Sequence, residues 1–264
     1  MDSETLRSCT AFLVDLDGTL YLDDELLPGA LDFLALLRER EFPYIFLTNN
    51  SSKSSAEYRS RLEGLDISVA PGQILTSGDA TIEYLKAHTC HKSAYVVGTE
   101  ALLGDFESAG FDLQCSDPDC VVVGFDTTLD YAKLERACTL LFAGKPYYAT
   151  HPDRTCITQR GLIPDIAAII AACEAVTRRT PKIIGKPFPE IVNVALTRLG
   201  SEASHTAIIG DQLDTDMEMA HASGLCPILM MSGETTPEKL EAAERRPPII
   251  LENIGALAAM MRTF

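Results

Sequence analysis

Short apolar runs that each end in a polar cluster recur along this chain. Strands of that kind, buried on both faces, belong to a parallel sheet covered by helices. The first run is Phe12-Leu13-Val14, which leads straight into Asp15-Leu16-Asp17-Gly18-Thr19-Leu20. Groups at the carboxyl end of such a strand face the ligand crevice of an open α/β sheet. With the period of two of an extended backbone, Asp15 and Asp17 share a face while Leu16 points to packing, and Gly18 permits the turn away. Two carboxylates this close repel each other unless a cation or a shared proton relieves them, so the stretch suits Mg²⁺ binding or an acid/base pair. An Asp-Gly turn that merely solvates a loop has the same local pattern.

The rest of the chain alternates in the same way. After an acidic flap over Tyr21 to Leu27, Pro28-Gly29 opens a helix with Leu31, Leu34 and Leu37 at helical spacing. Strand Tyr44 to Leu47 ends in Thr48-Asn49-Asn50-Ser51-Ser52, whose hydroxyls and N–H groups suit a phosphate or, equally, cap the helix near Ser54 to Leu62. Strand Ile74 to Thr76 and a helix at Ala80 to Ala87 follow. A second series then begins: strands at 94–97, 120–124 and 147–150 alternate with helices at 100–108 and 131–142. The polar stretch from His151-Pro152-Asp153-Arg154 to Arg160-Gly161-Leu162-Ile163-Pro164 reads as a specificity loop before a helix at 165–177. Strand Lys182 to Ile184 leads into Gly185-Lys186-Pro187 and a helix at 189–199. Strand Ala207 to Ile209 delivers Gly210-Asp211-Gln212-Leu213-Asp214-Thr215-Asp216 before a helix at 217–222. Strands at 226–231 and 249–251 and a helix at 254–261 complete the sheet.

This pattern predicts an α/β protein with a Rossmann-like parallel core, 1–78 and 182–264, and an inserted α/β domain, 79–181, hinged near Ser77-Gly78 and Thr180-Pro181. The formal net charge of −16 gives no field that would attract nucleic acid or an anionic membrane, so a small anionic substrate must be met by local cations. The eight cysteines, Cys9, Cys90, Cys115, Cys120, Cys138, Cys156, Cys173 and Cys226, show no zinc spacing and are expected as free thiols. An acidic start, Met1-Asp2-Ser3-Glu4, and the lack of an apolar run of ~18 residues predict a cytoplasmic location.

Asp15 and Asp17 after one strand, Thr48 after the next, then Lys186 and an acidic cluster after late strands occur in an order that resembles the haloacid dehalogenase (HAD) superfamily of phosphohydrolases. The large segment between Thr48 and Lys186 is similar to the C2-type cap of its NagD-like and p-nitrophenyl phosphatase-like class (subfamily IIA). The resemblance implies a Mg²⁺-dependent phosphatase acting on small phosphate monoesters, such as sugar phosphates or nucleotides, through an aspartyl phosphate. Asp15 would be the nucleophile and Asp17 the general acid and base. Thr48 would hold a phosphoryl oxygen, and Lys186 would neutralise charge. Asp15, the carbonyl of Asp17, Asp211 and Asp216 would hold the metal, with Asp216 preferred over Asp214. Asn49, Asn50, His151 and Arg154 are the expected substrate contacts, and a homodimer through the cap is compatible with this reading.

Gly144-Lys145-Pro146 repeats the Gly-Lys-Pro of Lys186 but falls inside the insert, where it reads as a turn. Relatives usually carry Asn before the Pro-Asp of the cap loop and a glycine-rich stretch after its later proline. Here His151 and Pro164-Asp165-Ile166-Ala167 stand in those places, so substrate identity does not carry over. Phosphoryl transfer to another hydroxyl, or a non-catalytic phospho-receiver, also uses such residues and remains open at this level.

Overall fold

A computed structural model describes residues 2–158 and 161–264. Among them the strands are β1 (Ala11–Asp15), β2 (Tyr21–Leu22), β3 (Glu25–Leu26), β4 (Tyr44–Thr48), β5 (Ile74–Thr76), β6 (Ala94–Val97), β7 (Cys120–Val123), β8 (Tyr147–Ala149), β9 (Thr155–Thr158), β10 (Gly161–Pro164), β11 (Lys182–Ile183), β12 (Thr206–Gly210), β13 (Cys226–Met230) and β14 (Ile249–Leu251). The α-helices are α1 (Asp2–Ser8), α2 (Ala30–Glu39), α3 (Ser55–Gly64), α4 (Ser77–His88), α5 (Glu100–Ser108), α6 (Tyr131–Phe142), α7 (Ile166–Thr177), α8 (Pro189–Leu199), α9 (Glu218–Ser223), α10 (Pro237–Ala242) and α11 (Ile254–Met261). The chain divides into two compact units: 1–48, 59–75 and 187–264 form the first, and 49–58 with 76–186 form the second.

The first unit is built on a sheet of order β14-β13-β12-β1-β4-β5. β1 runs parallel to β12 on one side and β4 on the other, with Val14 beside Ile209 and Asp15 beside Leu47. Every residue of β1, β4, β12 and β13 is buried, as expected of strands covered on both faces. From β1 the chain winds outward through β4 and β5 and returns to β12 on the other side. The carboxyl ends of β1 and β12 therefore flank a topological switch point, where an open α/β sheet leaves a crevice. Phe12 anchors β1 against Phe33 of α2, edge to face at 6.1 Å between ring centroids. Leu31, expected on the apolar face of α2, is exposed, and Phe33, Leu34 and Leu37 carry the packing.

The second unit has its own parallel sheet, β11-β8-β7-β6. Alternation along β7 decides which side each residue packs on: Val121 and Val123 join the core under α6 and α7, and Cys120 and Val122 join the core under α4 and α5. Three sequence expectations differ from the structure here. Lys182–Ile183, assigned to the core sheet, pairs instead with Tyr148 and Ala149 of β8, so the boundary at 181/182 cuts through this sheet. Ser77-Gly78, expected as a hinge, forms the first turn of α4, which Thr76 and Asp79 close with a reciprocal capping box. The stretch 151–164, expected as a specificity loop, folds partly as a hairpin, with Cys156 opposite Ile163 and Thr155 opposite Pro164. Arg160, singled out in that stretch, lies outside the described residues.

Candidate active site

In the first unit, the side chains of Asp15, Asp211 and Asp216 each place a carboxylate oxygen within 4.8 Å of the other two, and all three residues are buried. β1 delivers Asp15 and β12 delivers Asp211 one residue past Gly210, so the sheet register itself brings the two together. Asp216 arrives by a different route. Leu213–Met217 turns as a wide π-helix before α9 begins. That turn buries Asp216 and leaves Asp214 exposed. π-type turns recur at functional sites because they re-aim a side chain in this way.

Glycines make the room. A Cβ on Gly18, which sits at φ 83°, would lie 2.5 Å from Asp211 Oδ2, and one on Gly233 would collide with the same carboxylate. A Cβ on Gly210 would strike Asp216. The acidic side chains are also tied down. The Glu234 N–H donates to Asp211 Oδ2 at 2.6 Å, the Thr235 hydroxyl donates to the Asp211 carbonyl at 2.6 Å, and the Gln212 N–H donates to Asp216 Oδ2 at 3.3 Å. Ser232 Oγ donates to the Gly18 carbonyl at 2.7 Å, fastening the turn after Asp15 to the segment after β13.

Three buried carboxylates within a few ångströms are costly unless a cation neutralises them, and an all-oxygen set is the donor chemistry of Mg²⁺. These residues fit that ion. Asp17 stands apart: its side chain is exposed, and its backbone bridges to Tyr21 at the start of the small β2–β3 hairpin, the flap of the sequence reading. Thr48, the last residue of β4, is buried one position beyond Leu47, the neighbour of Asp15.

The second unit holds Lys186, which is buried. Asn49 fixes its backbone from both sides: the Lys186 N–H donates to Asn49 Oδ1 at 2.8 Å, and Asn49 Nδ2 donates to the Lys186 carbonyl at 3.0 Å. Gly185 allows this approach, since a Cβ there would lie 2.7 Å from Asn49 Oδ1 and 2.5 Å from the Thr150 carbonyl. Asn49 Nδ2 also reaches Asp153, at 3.1 Å from Oδ1 and 3.2 Å from Oδ2. Asn49, expected among the substrate contacts, thus spends its amide on Lys186 and Asp153. His151, expected there too, is fully buried, with Nδ1 3.2 Å from Asp153 and Nε2 3.7 Å from Asp165. Asn50 Oδ1 accepts from the Ser52 N–H and hydroxyl, while Arg154 is exposed. Lys145 sits in a turn and pairs with Asp117 at 2.7 Å.

Burial pushes the Asp153 carboxyl up, but the charge and contact of His151, the charge of Lys186 and the Asn49 amide outweigh it and hold the group below its ordinary value. Asp165 is raised by burial, which His151 and the Ile166 N–H offset only in part. The sequence reading treated Asp165 only as part of a departure in the loop. Its proximity to His151 comes from the hairpin, which no local signal announced.

Comparison with known proteins agrees with the order of motifs. The model of the haloacid dehalogenase-like hydrolase family matches residues 12–112, and a second HAD hydrolase-like model matches residues 183–257. The chain is similar to a dihydroxyacetone phosphatase of Corynebacterium glutamicum, with 32% identity over 94% of this chain and 90% of that one. An acid sugar phosphatase of Staphylococcus haemolyticus is 31% identical over 95% of each. Among solved structures, the 4-nitrophenylphosphatase of Thermotoga maritima superposes with a TM-score of 0.94 at 41% identity, covering 97% of this chain and 98% of that one. The α/β fold with strand-end carboxylates at a switch point is that of these hydrolases, and with the family models and relatives matched, this chain belongs to the haloacid dehalogenase-like hydrolase family. Within it, the chain matches relatives of the NagD and p-nitrophenylphosphatase type along nearly its whole length.

Proposed function

We propose that the protein is a Mg²⁺-dependent phosphatase that hydrolyses phosphate monoesters of small metabolites, of the sugar phosphate or nucleotide kind, through a phosphoryl group carried transiently on Asp15. The observation that supports this most is the convergence of the Asp15, Asp211 and Asp216 carboxylates at the carboxyl ends of β1 and β12. An Asp15 oxygen attacks phosphorus, and the bond from phosphorus to the ester oxygen breaks. A carboxylate needs no base for this. Asp17, on the exposed turn, gives its proton to the departing oxygen, then takes one from the water that attacks the aspartyl phosphate, which releases phosphate and restores Asp15. Thr48 donates its hydroxyl to a phosphoryl oxygen, and the Lys186 ammonium offsets negative charge on the phosphoryl group. Asp15, the Asp17 carbonyl, Asp211 and Asp216 would hold Mg²⁺, whose charge would lower the repulsion between an anionic ester and an anionic nucleophile.

The test is phosphate release from a panel of sugar phosphates, nucleotides and an aryl phosphate, with Mg²⁺ and with excess chelator. Catalytic release that requires Mg²⁺ is expected. Full release in chelator contradicts the metal assignment, transfer to an added alcohol without free phosphate marks a phosphotransferase, and uptake of one phosphoryl group without turnover marks a receiver.

A further inference from the structure

His151 is enclosed in the second unit between two carboxylates, and nothing in the proposed chemistry uses it. Its side chain has no exposed surface. Each ring nitrogen faces a different acid, Nδ1 at 3.2 Å from Asp153 and Nε2 at 3.7 Å from Asp165, and neither makes an aligned hydrogen bond, to the acids or to any other group. A neutral imidazole carries one N–H and one lone pair, so it would turn a lone pair toward one of the two acids. A protonated ring would present an N–H to each. One ring nitrogen and one oxygen of each acid lie within 4.8 Å of one another, a spacing that also suits a cation, and a separate acid at each ring nitrogen is the arrangement of an ion-pair bridge.

The bridge continues. Asp153 accepts two contacts from the Asn49 amide, and Asn49 in turn grips the N–H and the carbonyl of Lys186. Asp165 is itself fixed: it caps α7 by accepting the Ile166 N–H at 2.5 Å, and its own N–H donates to the Arg154 carbonyl at 3.0 Å. The Ala167 N–H donates to the Asp153 carbonyl at 3.0 Å, so the α7 N-terminus holds both acids. With the ring protonated, two carboxylates, one imidazolium and one ammonium would sum to zero, which is how a buried set of charges is made tolerable.

We propose that Asp165, His151, Asp153 and Asn49 form a positioning relay that fixes Lys186, with His151, set between the two acids, as its keystone. The inference rests on the reading of Lys186 as a catalytic group. It changes the expected part of His151 from substrate contact to support, and it gives a physical use to the histidine that stands where relatives usually carry asparagine.

The experiment compares His151→Gln, Asp165→Asn, Asp153→Asn, the double variant His151→Gln/Asp165→Asn and Lys186→Ala, with full-length protein, Mg²⁺ and a small aryl phosphate. His151→Gln leaves two acids facing one neutral side chain, so kcat should fall by about 10- to 100-fold, the scale of a catalytic group displaced by an ångström, with KM changed less than about twofold. Adding Asp165→Asn removes the surplus negative charge and retains a side chain able to cap α7, so the double variant should recover most of the lost kcat. Asp153→Asn keeps the shape and loses the charge, and should lower kcat as His151→Gln does even if the latter folds poorly. A folded double variant without recovery, or single variants that shift KM across substrates with kcat intact, overturns the relay. If Lys186→Ala itself keeps wild-type kcat, the reading of Lys186 fails and the relay with it. If Lys186→Ala is inactive and His151→Gln and Asp153→Asn are both fully active, only the relay fails.

Discussion

At the scale of single residues, Asp15 and Asp17 differ in a way that predicts different losses. Asp15 is buried among carboxylates, so Asp15→Asn removes the proposed nucleophile and some repulsion together. Turnover should fall at least ~10⁴-fold, while the melting temperature measured in chelator should hold or rise. A marked drop in melting temperature would mean that the carboxylate serves the fold. Asp17 is exposed, and Asp17→Asn should cost about 10²- to 10⁴-fold with poor leaving groups and much less with an activated aryl ester, which departs without a proton. Equal losses across leaving groups would remove the acid role. Much of this site was legible in the sequence, because the residues after β1, β4 and β12 are placed by strand register, which apolar runs announce. The choice of Asp216 over Asp214 for the cluster depends on a π-turn that sequence periodicity does not encode. The sealing of Asn49 was not legible either, since its partners Asp153 and Lys186 lie more than a hundred residues away in the chain, and that of His151 depends on the turn-back of the chain that brings Asp165 to it.

Among the elements, helix α5 carries a testable electrostatic cost. Burial pushes the Asp105 carboxyl up to about 6, with the charges of Asp79 on α4 and Glu57 on α3 adding to it. A carboxyl raised in the folded state binds its proton more tightly there than in the unfolded chain. Its cost is therefore absent below about pH 4, grows as pH rises and is complete above about pH 6. Asp105→Asn should stabilise the protein at pH 7 to 8 by an amount of order 1 kcal/mol, allowing for solvent screening of a half-buried group, and should match the wild type near pH 3.5. Denaturant melts at the two pH values check this, and equal stability at pH 8 would contradict it. Elements with strong patterns, such as the valine-rich β6 and β7 or the capped α5 and α6, could be read directly from the chain. β11 could not be assigned to its sheet, because two residues carry no alternation and only pairing with β8 decides where they belong. The β9–β10 hairpin was hidden because threonines and a cysteine occupy strand positions in a stretch whose polar composition suggests a loop.

For the molecule as a whole, the surplus of acidic groups makes local neutralisation the condition for binding an anion, and none of the described helices is long and apolar enough to cross a membrane. Mg²⁺ binding to the carboxylate cluster should therefore appear in stability as well as in rate. An ion at 100 times its dissociation constant adds about 2.7 kcal/mol to the folded state. The melting midpoint should rise by several degrees in Mg²⁺, and Asp216→Asn should abolish most of the rise; an undiminished shift would place the ion elsewhere. The chain passes between its two units at 48/49, 58/59, 75/76 and 186/187, so the motif residues Thr48 and Asn49, and Lys186 and Pro187, fall on different sides of a unit boundary. A reading by sequence blocks merges each pair, which is why the expected boundaries at 78/79 and 181/182 differ from these. The central claim is that phosphorus becomes bonded to Asp15, and trapping tests it most directly. The Asp17→Asn variant is mixed with an aryl phosphate and Mg²⁺, quenched in acid and reduced with borohydride, which converts an aspartyl phosphate to homoserine, and the peptide bearing residue 15 is sequenced by mass spectrometry. The account predicts homoserine at position 15 only when substrate and Mg²⁺ were both present; an unmodified Asp15 with continuing phosphate release, or homoserine at another carboxylate, would contradict it.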